Sequence, residues 1–136
     1  MNTQILSKSH KIRIAIGVGI NLIIAAIHAF RIGSYLHNPW YTLYYSYASD
    51  IMLPFGVYFL LCINEIQFKV LRPWYIKAGI IFGAMTFSEI LQYFEIYFFG
   101  VTFDLMDIAA YATGTMMAVV VDRLIFRKFI IDWNYE

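Results

Sequence analysis

The stretch "KSHKIRIAIGVGINLIIAAIHAFRIG", Lys8 to Gly33, decides the reading of the chain. A basic flank is followed by about 18 mostly apolar residues, close to the length a helix needs to cross the hydrocarbon core of a bilayer. The run is too long for the apolar region of a typical secretion signal and no A-x-A cleavage site follows it, so it reads as a retained first transmembrane helix. The composition agrees. The 136 residues are 61% hydrophobic, 19% aromatic and only 14% charged, more apolar surface than one small water-soluble core could bury.

Working outward, apolar runs of similar length predict four spans, at about 12–32, 44–63, 74–98 and 103–126. Lipid-exposed backbone must satisfy its own hydrogen bonds, so the spans are helices and the fold class is all-α: one integral membrane domain over 1–136, a four-helix bundle. No linker, charge block or repeat divides it. Lys8, Lys11 and Arg13 precede the first span, Lys69, Arg72 and Lys77 surround the turn between the second and third, and Arg123, Arg127 and Lys128 end the fourth. Only Arg31 falls on the opposite side, so the positive-inside rule puts both termini in the cytoplasm. Trp40, Tyr41, Tyr44 and Tyr45 would line the outer interface, and Trp74, Tyr75 and Trp133 the inner one. The expected location is a plasma (inner) membrane, crossed several times.

That orientation collects the acidic residues. Asp50, Glu89, Glu95, Asp104 and Asp107 all fall in the outer half, with Gln92, His28 and Arg31 at the same level, and Asp122 alone among the acids of the spans lies elsewhere. Asp104, Asp107, Tyr111 and Gly114 share a helical stripe flanked by Ala110, Gly114 and Ala118, small residues that let helix backbones approach closely. Ala25, Ala29 and Gly33 in the first span, and Gly79 and Gly83 in the third, offer similar ladders. Glu89, Gln92, Tyr93 and Thr86 share a face, with Glu95 turned away toward the interface. Glu89 lies fifteen residues after Trp74, and an acid that deep costs on the order of 2.5 to 3.5 kcal/mol on insertion scales, so it needs a partner or a purpose. Pro54 has no N–H and leaves the Asp50 carbonyl free beside the Asp50 carboxylate; alternatively, Asp50 caps a helix start at the interface.

Carboxylates, an amide and free carbonyls are hard oxygen ligands, suited to Ca²⁺ or Mg²⁺ rather than zinc, and His28 is the only nitrogen ligand within the spans. Asp50, Glu89, Gln92, Asp104 and Asp107 are therefore the candidate cation- or ligand-binding residues, with His28, Arg31 and Tyr111 in support. No G-x-S-x-G, H-E-x-x-H or phosphate-binding loop is present, which favours binding over catalysis, although carboxylates in unequal environments could perform acid/base chemistry. A net charge of +1 with scattered basic residues excludes a nucleic-acid partner. The single Cys62 excludes an intrachain disulfide and reads as an apolar filler.

"SEILQ" (Glu89, Gln92), "FDLMDIAAYATG" (Asp104, Asp107, Gly114) and the preceding Asp50, Pro54 and Gly56 resemble the VanZ-like family of small bacterial membrane proteins, over about residues 47–122. Members usually carry an Arg in the outer loop before the first Asp and an Asn four residues after the second; here "FFGVTFD" has no Arg and Tyr111 stands in the Asn place. The resemblance implies a cell-envelope role at the outer face of the plasma membrane, of the kind associated with susceptibility to the glycopeptide antibiotic teicoplanin. Partners would be membrane lipids, an envelope ligand, a second copy or a membrane complex. The alternatives are an enzyme acting on a lipid or cell-wall-precursor headgroup, and an accessory or structural subunit or small ion carrier.

Overall fold

The computed structural model describes residues 3–94 and 105–133. Described residues form helices and turns only: α1 (Thr3–Ala29), α2 (Trp40–Asn64), α3 (Trp74–Tyr93) and α4 (Leu105–Val120). Helix α4 continues through a π-helical segment, Val121–Phe126, into a last α-turn, Arg127–Phe129, and a 3₁₀ turn, Ile131–Trp133. Among the described residues three helices are long and apolar enough to cross a membrane: Leu6–Ala29, Trp40–Asn64 and Leu105–Phe129. Helix α3 has 20 residues and packs into the same bundle. The expected boundaries shift at several ends. The first helix reaches back through its basic flank, and α2 begins at Trp40 instead of residue 44. Asp50 therefore sits ten residues inside α2 and caps no helix start.

Helix α2 is central, touching α1, α3 and α4. The core it organises holds Tyr58, Phe59, Cys62, Ile81, Ala118, Val119 and Trp133, with the Phe59 ring set edge-on against Phe55 and close to Phe126 and Trp133. The outward faces stay apolar: Leu22, Ile23, Leu105 and Leu124 are all more than 60% exposed. Large side chains on an outer surface of this kind are what lipid contact requires. Helix α1 lies at the edge, with 11% of its most apolar window buried.

The small-residue ladders behave differently from one another. In α4 the ladder is a packing face, since Ala110, Gly114 and Ala118 are buried. A Cβ on Gly114 would stand 2.1 Å from the Ile51 carbonyl oxygen and 2.9 Å from the Pro54 ring, so only a bare Cα lets α4 approach the bend in α2. In the first ladder Ala25 and Ala29 of α1 are exposed, and of its three residues only Gly33, in the 3₁₀ turn Ile32–Tyr35 and seated under the Tyr44 ring, makes a close contact. Gly79 and Gly83 face open space, where an added Cβ would meet nothing within 4 Å. The expectation that α3 packs through these glycines inside the bundle is thus corrected.

Gly114→Ala should lower the melting temperature in detergent by an amount equivalent to about 1–3 kcal/mol of overpacking, because the atom it meets is backbone. Gly79→Ala should be neutral or stabilising by about 1 kcal/mol through helix propensity. Equal melting temperatures for the two variants would contradict this packing.

Candidate functional site

Two layers of polar side chains lie inside the bundle, the outer one so named for lying toward the turn between α1 and α2 and the inner one toward the turn between α2 and α3. The outer one is centred on Glu89 of α3, which is 1% exposed. Tyr111 of α4 donates its hydroxyl to Glu89 Oε1 at 2.7 Å, and the Thr115 hydroxyl in turn donates to the Tyr111 carbonyl at 2.7 Å. Among the described residues Glu89 Oε2 has no hydrogen-bond partner, and neither has the hydroxyl of its neighbour Ser88. Asp50 and Asp107 are half-buried, each within electrostatic reach of the Tyr111 hydroxyl. Helices α2, α3 and α4 thus bring Asp50, Glu89, Asp107 and Tyr111 to one level. Tyr111, in the place where an Asn was expected from the resemblance, is the donor that Glu89 uses.

The other expected members distribute differently. His28 is exposed, and its two ring nitrogens lie 2.8 Å from the Ile24 carbonyl and 2.9 Å from the Ser49 hydroxyl. It ties α1 to α2, and neither nitrogen is left for a ligand. Arg31 is exposed, in a left-handed conformation with φ 51° that ends the α1 turn. With Ile27, His28, Tyr44, Tyr45 and Ser49 it lines a pocket of about 150 Å³ on the α1–α2 side. Asp104 and Glu95 lie outside the described residues, as does the Gln92 side chain. Among the described residues no three His, Cys, Asp or Glu side chains converge as a metal-binding group.

The inner layer was not anticipated as a unit. Arg13 of α1, Glu65 just after α2, Lys77 of α3 and Asp122 of the π-helical segment are all fully buried. Arg13 Nη1 lies 2.5 Å from Glu65 Oε1, Lys77 is paired with the other Glu65 oxygen, and the Lys77 ammonium stands 3.7 Å from Asp122 Oδ2. Asp122 also accepts from the Tyr58 hydroxyl and from the Trp133 indole N–H, both at 2.7 Å. Arg13 donates to the Cys62 carbonyl at 3.2 Å and to the Trp133 carbonyl, and its guanidinium lies 4.4 Å above the indole ring. Two cations and two anions close on each other with no net charge, the arrangement that makes ionised groups tolerable away from water.

Several expectations are corrected here. Arg13 and Lys77 are interior ion-pair partners instead of flanking charges, and Trp133 is a core residue instead of an interface anchor; Glu65, which sequence reasoning did not single out, is buried between Arg13 and Lys77. A signal for this layer did exist in the sequence: two bases and two acids, one near the same end of each helix, at matching depth. Family models, curated proteins and solved structures were compared with the chain, and none matches.

Lys77→Met should cost about 3–5 kcal/mol, because Glu65 and Asp122 would share a single buried cation. Adding Asp122→Asn to it should return part of the loss, since Arg13 still balances Glu65. Thermal unfolding of the single and double variants in detergent checks this, and simple additivity would contradict the coupling. At the outer layer, Tyr111→Phe should cost about 1–3 kcal/mol in wild-type protein by removing the donor to a buried carboxylate.

Proposed function

We propose that the chain is a VanZ-like protein of a bacterial plasma membrane, with four spans and both termini in the cytoplasm. Its outer acidic layer binds a cation, or the cationic part of an envelope ligand. The observation that carries this reading is Glu89: a carboxylate 1% exposed, with one oxygen held by Tyr111 and the other without a donor among the described residues. A buried acceptor left unsatisfied costs free energy that a bound cation or ammonium group would return. Asp50 and Asp107 at the same level add negative potential and fit a hard cation such as Ca²⁺ or Mg²⁺, or a protonated amine. The orientation is supported by Lys8, Lys11, Lys69, Arg72, Arg123, Arg127 and Lys128, which remain on one side after Arg13 and Lys77 are assigned to the interior.

A second reading, a subunit of a larger membrane assembly, is favoured by the open groove between α3 and α4. Ala78, Gly79, Phe82, Ala112, Thr115 and Met116 line about 280 Å³ there, and helices associate in lipid through surfaces of this small-residue kind.

Two measurements test the main reading. In a Cys62→Ser background, Asn38→Cys should react with an impermeant thiol reagent in intact cells and Gln67→Cys only after permeabilisation; the reverse pattern would invert the topology. Titration with Ca²⁺, Mg²⁺ or a primary amine should raise the melting temperature of the wild type, by the equivalent of about 2.7 kcal/mol at a hundredfold excess over Kd. Glu89→Gln should fold and insert but lose that response. A Glu89→Gln protein responding like the wild type would rule out Glu89 as the binding group.

A further inference from the structure

The inner layer is sealed by a very small piece of chain. The helix that begins at Leu105 ends at Phe129, and Ile130 leaves helical geometry with φ −111° and ψ 102°. The turn Ile131–Trp133 then folds back, so that Trp133 is fully buried while Ile131 is 87% exposed. Its backbone hydrogen bonds are local, from Ile130 N–H to the Phe126 carbonyl at 2.9 Å and from Trp133 N–H to the Ile130 carbonyl at 3.1 Å. Among the described side chains of the turn, Trp133 is the one that fastens it to the bundle. The Trp133 indole donates to Asp122, its ring lies beneath the Arg13 guanidinium and against Phe59 and Phe126, and its carbonyl accepts from Arg13.

We infer that Ile131–Trp133 is a plug at the inner end of the bundle, which leaves and re-enters its seat while the helices stay folded and so opens the charged layer to water from the side that carries it. The bonding pattern gives the reason. Withdrawing Trp133 removes one hydrogen bond from Asp122 and one from Arg13, yet breaks none of the ion pairs that join the four charges. Arg13 keeps Glu65, Lys77 keeps Glu65 and Asp122, and Asp122 keeps the Tyr58 hydroxyl. The two charges that lose a bond are those that water would then solvate, so the polar cost of opening is partly returned. What opposes opening is the apolar burial of one indole with its ring contacts to Arg13, Phe59 and Phe126, a cost smaller than that of global unfolding. The seat lies against a π-helical segment, a departure from α-geometry that recurs at functional sites. The plug is independent of whatever occupies the outer layer at Glu89.

Cys62, the only cysteine, belongs to the same core cluster as Trp133 and so can report on the opening. It is fully buried and its carbonyl is bonded to Arg13, which Trp133 covers. In the full-length protein, labelling of Cys62 by a small maleimide should be slow. It should accelerate by about tenfold or more in Trp133→Ala, with Trp133→Phe, which keeps a ring but not the indole N–H, in between. A Trp133→Ala rate equal to that of the wild type would overturn the proposal. Hydrogen exchange of the unmodified protein decides the matter independently of how the variant folds. The Ile130 and Trp133 amides should exchange at least about tenfold faster than those of α4 around Val119, reporting separate opening. Equal protection would mean that the turn opens only when the bundle unfolds, and would equally overturn it.

Discussion

Neutralisation of buried charge is the constraint on which this bundle rests. Arg13, Glu65, Lys77 and Asp122 come from four separate parts of the chain and have no solvent contact, so each is tolerable only with the others in place. In lipid, apolar contact between helices has little driving force of its own, because the alternative surroundings are equally apolar. Polar closure supplies what hydrophobicity cannot. It also fixes register, since sliding α3 by one turn along α2 would carry the Lys77 ammonium about 5 Å from Glu65.

The two polar layers differ in how completely they are satisfied. The inner one balances two cations with two anions and adds donors from Tyr58, Trp133 and Arg13 to the remaining lone pairs and carbonyls. The outer one pairs Glu89 with a neutral hydroxyl and, among the described residues, leaves its second oxygen without a donor. The first arrangement suits holding helices together. The second is the one on which the proposed binding rests, and that contrast, rather than acidity alone, is what supports the proposal.

The sequence made the membrane character legible because it rests on bulk composition and run length, which no tertiary contact can reverse. The packing role of Gly114 was legible too, through its spacing with Ala110 and Ala118. The charges misled where a rule for surfaces was applied to residues that turn inward. Arg13 and Lys77 count as interface charges by position, and only their pairing with Glu65 and Asp122 across helices tells otherwise. Trp133 misled for a similar reason: an indole near the end of a span belongs to the aromatic belt by statistics, whereas a backward turn after Ile130 sends it into the core. Gly79 and Gly83 carry the same spacing signal as the α4 ladder, and nothing in the spacing says which ladder has a neighbour within the chain.

The closeness of α2 and α4 at Gly114 and the ion pairs beneath them bear on how such a chain is made. A ribosome delivers Arg13 and Glu65 first, and these two can cancel as soon as α1 and α2 lie side by side. Lys77 follows and brings an uncompensated positive charge into the half-built bundle. Only Asp122, forty-five residues later, restores neutrality, and it arrives on the helix whose glycine must nest against the bend in α2. A chain lacking that last helix therefore keeps one ammonium without its second carboxylate and leaves the face of α2 at Ile51 and Pro54 uncovered, so the final helix completes charge balance and packing in one step.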